Sequence, residues 1–219
     1  MSPTLLAVAH GTRSAAGQRQ IRDLVATIAR RRPDLDVRLA YVDVQRPHVG
    51  EVVAGVGDAV VVPLLLSAGY HVRVDIAAAV AGAGIPVAAP LGPDDVLLDS
   101  LTRHLPAADA VVLAAAGSAD PHWRASIHEM AARIGAHVAY ASGSDPKVAD
   151  VVADLRRRGA RRIAIGAYLL AEGLFYRTLH RAGADVVTPP LGLDPAVAGL
   201  VLRRYDEAAY SVAAMTGSR

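Results

Sequence analysis

Cysteine is absent from the 219 residues, which excludes disulfides, thiolate metal sites and cysteine nucleophiles at once. Any metal ligands must then be histidine or carboxylate. Lysine is nearly absent as well, with Lys147 the single example, so the basic side chains are almost all guanidinium. Scattered guanidinium forks suit a small polyanion, because they pair with carboxylates in a bidentate way that ammonium does not. Aromatic residues make up only 4% and no basic block is interleaved with them, which argues against nucleic-acid binding. Long apolar runs are missing too: the longest, residues 59–70, contains Pro63 and falls short of the ~20 residues a membrane span requires. Pro3 stands where a signal peptide would be positively charged and no cleavage pattern follows, so a cytoplasmic protein without membrane contact is expected.

What the chain does have is apolar material, 53% of residues with a mean hydropathy of +0.30, and a near-balanced net charge of +2. Its length suits one large or two small domains. The stretch Leu5-Leu6-Ala7-Val8-Ala9 is an apolar run that ends abruptly in His10-Gly11-Thr12-Arg13-Ser14. Such a run reads as a strand covered on both faces that delivers His10 to its carboxyl end, where open parallel sheets bind ligands. Ser14 then caps a helix whose apolar positions Ile21, Leu24, Val25 and Ile28 repeat at helical spacing. A second strand follows over 36–44 and carries Asp43, Pro47 opens a short helix, and 59–66 is a third strand with exit loop Ser67 to His71. An Ala-rich helix from Asp75, a short strand over 85–89 and a helix through Leu105 complete a first set. Strand–helix alternation with short connections requires a parallel sheet with helices on both faces.

The alternation then restarts: strands over 110–116, 136–141, 162–169 and 185–188, with helices over 121–134, 146–157, through His180, and from Pro195. Pro90-Leu91-Gly92-Pro93-Asp94 recurs as Pro190-Leu191-Gly192-Leu193-Asp194 with one mismatch. The chain therefore reads as an α/β protein of two tandem, doubly wound, flavodoxin-like domains, residues 1–105 and 106–219, each with strand order 2-1-3-4.

Alignment of the two copies separates scaffold from chemistry. Ala9-His10-Gly11-Thr12 pairs with Ala115-Ala116-Gly117-Ser118, and Ala40-Tyr41-Val42-Asp43 with Ala139-Tyr140-Ala141-Ser142. Leu65 to His71 pairs with Leu169 to Phe175. Only the first copy holds the set His10, Asp43, His71, which both copies would need if it served the fold. At the exits of strands one, two and three these residues would flank the switch-point crevice. Two neutral imidazoles and a carboxylate suit a divalent first-row metal, and the same imidazoles accept protons near neutral pH. His48, His104, His122, His128, His137 and His180 have no convergent partners and read as surface or packing residues. Trp123 and Phe175 read as core or cleft-lining apolar residues; Phe175 has two readings, stacking against a macrocycle and helix packing, of which helix packing is the expected one.

With those motifs in view, the whole chain resembles the two-domain form of the sirohydrochlorin chelatases of the CbiX/SirB type, within the class II chelatases. The resemblance rests on Ala9-His10-Gly11-Thr12-Arg13, on Val42-Asp43 with Pro47, and on Pro63 through His71 with Asp75. It implies ATP-independent insertion of a divalent metal (Fe2+, Co2+ or Ni2+ as substrate, Fe2+ favoured for sirohaem synthesis) into a tetrapyrrole held in a cleft between the domains. His10 and His71 would bind the metal and accept protons, with no organic cofactor. Asp43 stands where the family pattern usually has Glu, one methylene longer, so its action would run through water. Arg13, Arg46 and Arg73 would engage the carboxylates of the tetrapyrrole. A fused pair of domains implies a monomer. The alternatives are a cobaltochelatase of cobalamin synthesis, a non-catalytic metal or tetrapyrrole carrier, a phosphohistidine enzyme, and a flavin binder using the Gly11-Thr12-Arg13-Ser14 loop. The phosphohistidine reading lacks the Arg that precedes such a histidine, since Ala9 stands there.

Overall fold

The computed structural model describes residues 2–67 and 71–216, with side chains described outside 71–73 and 212–216. In the first of its two parallel sheets β1 (Thr4–Ala9) lies between β2 (Val37–Tyr41) and β3 (Ala59–Pro63). Leu5 pairs with Val37 on one side and Val60 on the other. Leu5, Leu6, Ala7 and Val8 are fully buried, as a parallel strand covered on both faces must be. The strand expected over 85–89 is reduced to one bridge, between Val61 and Val87. Pro86 explains the reduction: its carbonyl accepts from the Val61 N–H at 2.9 Å, but its own nitrogen has no hydrogen to continue the ladder.

In the second sheet β4 (Ala110–Ala115) lies between β5 (His137–Tyr140) and β6 (Ile163–Tyr168), and β7 (Val186–Val187) flanks β6. The order is the doubly wound 2-1-3-4 that the duplication implies, and all pairs are parallel.

Helices follow the expected places. The Ser14 hydroxyl accepts from the Gly17 N–H at 3.3 Å and starts α1 (Ala15–Arg31), which buries Ile21, Leu24 and Ile28. Helix α2 (Val49–Val53) follows β2. The Ala-rich helix expected from Asp75 is instead a π-helical turn, His71–Ile76, running into the short α3 (Ala77–Val80). Gly82 and Gly84, at φ 79° and 66°, stop it. Then come α4 (Asp95–Arg103), α5 (Pro121–Arg133), α6 (Val148–Arg157), α7 (Leu174–His180) and α8 (Pro195–Thr216). Among the described residues no helix is long and apolar enough to cross a membrane.

The compact units do not follow the chain order expected from the repeat. One comprises residues up to 92 together with those from 195, the other residues 93–194. Helix α4 belongs with the second sheet: Leu101 lies over Gly166 of β6, where an added Cβ would stand 2.8 Å from the Leu101 Cδ2. Leu97, Leu98 and Leu101 are buried there, each contributing about 2 kcal/mol of apolar burial. Helix α8 packs instead on α1 and β3, where the Tyr205 hydroxyl donates to the Pro3 carbonyl at 2.6 Å and Arg204 Nε to the Pro90 carbonyl at 3.0 Å. By contacts the chain divides after Gly92, with a return at Pro195. The reason is that an apolar helix face specifies a sheet to cover but not which sheet.

Candidate functional site

The pairing of β1 and β2 runs on past the strand ends. The Val42 N–H donates to the Ala9 carbonyl at 2.9 Å and the Asp43 N–H to the His10 carbonyl at 3.0 Å. On the other side the Leu64 N–H donates to the Val8 carbonyl at 2.8 Å, so three strand exits emerge together at one edge. His10 is half-buried there and Asp43 is exposed. Gly11 makes the close approach of the first two exits possible. Its φ is +98°, and a Cβ would land on the Asp43 carbonyl oxygen, so no other residue fits without parting the chains.

Two residues that sequence reasoning passed over hold the loop after His10. Gln45 Oε1 accepts from the Thr12 N–H at 2.9 Å, and Gln18 Nε2 donates to the Thr12 carbonyl at 2.8 Å. Ser144 performs the Gln45 task in the second copy, accepting from the Ser118 N–H at 3.1 Å. The Ser14 N–H goes to Thr12 Oγ1 at 3.1 Å, and the Gly17 N–H to Ser14 Oγ. Three of the amides near this helix start, those of Thr12, Ser14 and Gly17, are thus engaged by side chains of the protein.

Beyond the edge, Asp43 Oδ1 accepts from the Val44 N–H at 2.7 Å. Val44 adopts φ 65°, a left-handed conformation that β-branched side chains strongly disfavour. The second copy has Gly143 at this place, with φ 62°. Strain is thus carried beside the carboxylate in the first copy only.

Of the remaining candidates, His71 opens the π-helical turn instead of closing a loop. The side chains of His71 and Arg73 lie outside the described residues. Arg46 is exposed but engaged: its Nη1 stands 2.6 Å from Glu51 Oε1. Glu51 Oε2 in turn accepts the His48 N–H at 2.9 Å at the start of α2. Arg13 is exposed and in no ion pair among the described residues. Among the described residues no group of three or more His, Asp or Glu side chains converges as a metal centre.

The corresponding edge of the second sheet repeats the geometry without the chemistry. The Ser142 N–H donates to the Ala116 carbonyl at 2.9 Å. Gly117, at φ +108°, approaches the Ser142 carbonyl just as Gly11 approaches Asp43. The buried Ser144 hydroxyl donates to the Ser118 carbonyl at 2.9 Å, and Lys147 Nζ to the Ser144 carbonyl at 2.6 Å. Polar groups there close on one another.

Comparison with known proteins agrees with this doubling. The CbiX family model matches twice, over residues 4–108 and 110–208. A sirohydrochlorin cobaltochelatase from Methanococcoides burtonii is 31% identical over 77 residues, which cover 33% of this chain and 59% of that protein. In fold, SirB from Bacillus subtilis with Fe3+ superposes with a TM-score of 0.75 at 21% identity, over 95% of this chain and 96% of that one. The SirB chelatase from Bacillus subtilis subspecies spizizenii in complex with cobalt does so at 0.71 and 22% identity, over 96% of each chain. With one match on each copy and the two together spanning nearly its whole length, the chain belongs to the CbiX family.

Proposed function

We propose that this chain is a sirohydrochlorin chelatase that inserts a divalent metal into the tetrapyrrole without ATP or organic cofactor, acting as a cytoplasmic monomer with Fe2+ as its metal. The observation that carries the reading is the pairing that sets His10 beside Asp43 at a sheet edge, in a chain whose two halves both match one chelatase family. Insertion exchanges two ring N–H protons for one M2+ ion, so the protein must present a metal and take up protons at one place. His10 and His71 are assigned both tasks. A neutral imidazole ligates a first-row divalent ion, and once released it accepts a proton near neutral pH. A metal that is to be handed on must not be caged, and two imidazoles leave coordination positions open for water and ring nitrogens. Asp43 acts through water to receive the protons. Arg13, Arg46 and Arg73 meet the carboxylates of the substrate, with Arg46 exchanging Glu51 for one of them.

A second reading, cobalt in place of iron, draws on the relative from Methanococcoides burtonii, which is a cobaltochelatase. The donor set accepts either ion, so supply decides between them. An anaerobic assay of sirohydrochlorin with Fe2+, Co2+ and Ni2+ in parallel, followed by absorbance, tests the proposal. Fastest insertion is expected with Fe2+; a rate at the spontaneous level with all three metals would reduce the protein to a carrier.

A further inference from the structure

The large apolar side chains left exposed among the described residues are Val44, Val74, Leu174, Phe175, Leu193 and Tyr210. All except Tyr210 lie in segments that follow the carboxyl ends of strands: Val44 after β2, Val74 after β3, Leu174 and Phe175 after β6, and Leu193 after β7. Single exposed apolar residues need no explanation, but their concentration on the ligand-binding edges of doubly wound sheets does. In the second unit Leu174 is 66% and Phe175 38% exposed, contrary to the helix-packing role expected for Phe175. Helix α7 is anchored by its other side. Leu179 is fully buried and the Tyr176 hydroxyl donates to the Thr188 carbonyl at 3.1 Å, while Leu174 and Phe175 remain exposed. Arg177 and Arg181 stand at i+3 and i+7 from Leu174, on the same helix face. Both are exposed and in no ion pair among the described residues.

We propose that Leu174, Phe175 and Arg177 form a platform for one face of the tetrapyrrole. Leu174 and Phe175 cover the ring, and Arg177 pairs with a carboxylate at its rim. The inference rests on the chelatase reading and deepens it. The repeat places these residues on the ligand edge, since Leu169 to Phe175 corresponds to Leu65 to His71. The chemistry fits a flat apolar ring fringed by carboxylates: an apolar pair for the face and, one turn from Leu174 on the side away from Phe175, an exposed guanidinium for the fringe. On this reading the first copy keeps the imidazoles and the second has exchanged the counterpart of His71 for an aromatic ring.

The test uses the full chain and the exposed-site variants Leu174→Ser, Phe175→Ala and Arg177→Gln. Metal-free sirohydrochlorin is titrated by absorbance, and Co2+ binding is measured separately by calorimetry. Phe175→Ala and Leu174→Ser should each weaken sirohydrochlorin binding about tenfold. Arg177→Gln should weaken it severalfold and flatten its salt dependence. Co2+ affinity should match the unmodified chain in all three. Unchanged sirohydrochlorin affinity in the three variants would overturn the platform and leave the chelatase reading standing. If Phe175→Ala altered only the oligomeric state, a second copy would be the occupant and the proposal would fall. An unmodified chain that binds Co2+ but no sirohydrochlorin would sink both readings.

Discussion

The N–H of Asp43 donates to the carbonyl of His10 at 3.0 Å, so sheet pairing, and not loop conformation, sets the spacing of these two residues. Any chemistry that uses both side chains inherits the rigidity of β1 and β2. Because the bond is made by backbone atoms, side-chain substitutions at either position leave that bond in place.

His10→Ala should therefore lower metal insertion to the spontaneous rate while the melting temperature moves by no more than about 2 °C. The chain already contains the control: Ala116 occupies the matching position of the second copy and accepts the same bond, from Ser142, at 2.9 Å. Anaerobic initial rates and a thermal melt by circular dichroism check both halves of the expectation.

Gly11→Ala and Gly117→Ala should destabilise alike, by about 2 kcal/mol or more, since each forces a Cβ onto a carbonyl oxygen at positive φ. They should differ in function. Assayed at a temperature where both variants remain folded, only Gly11→Ala should impair insertion, because only its loop carries an imidazole. Equal rates for the two would separate the Gly11 turn from the chemistry.

Val44→Gly should stabilise the protein by about 1 kcal/mol. Relief of the left-handed strain at φ 65° exceeds the extra chain entropy that glycine brings to the unfolded state. Urea unfolding midpoints measure this. Lower activity in the stabilised variant would mean that a rigid turn beside Asp43 serves the reaction.

Asp185 provides an acid-sensitive contact in the second unit. The Ile163 N–H, donating at 2.7 Å, and Arg156 Nη2, at 2.6 Å, hold its carboxyl below the usual carboxylate range. A depressed native pKa contributes stability above the unfolded value of about 4, and that contribution is lost as pH falls through the native value. Asp185→Asn should lower the urea midpoint at pH 7 and lessen its decline between pH 5 and about pH 2. Parallel pH curves for variant and parent would remove Asp185 from the acid response.

Much of this architecture was legible because it is local. Leu5 to Val8 read as a buried strand and form one, Ser14 caps α1, Pro121 opens α5, and the recurrence of Pro90 to Asp94 exposed the duplication. The Gln45 and Gln18 bonds were not legible, because a glutamine in a polar turn has no preferred partner until the fold supplies one. The short fourth segment of the first sheet was misjudged for a similar reason: Ile85 to Ala89 has strand composition, while Pro86 limits it to one bridge.

By itself the sequence determined two copies of one strand–helix alternation, the glycine turns at Gly11 and Gly117, and the restriction of the His10, Asp43, His71 set to the first copy. Only the tertiary structure decided that α4 covers the second sheet and α8 the first, and that the start of α7 turns its apolar residues outward. Periodicity encodes an apolar face, but the surface that face buries depends on shape, such as the gap over Gly166 that receives Leu101, and shape exists only once distant segments have met.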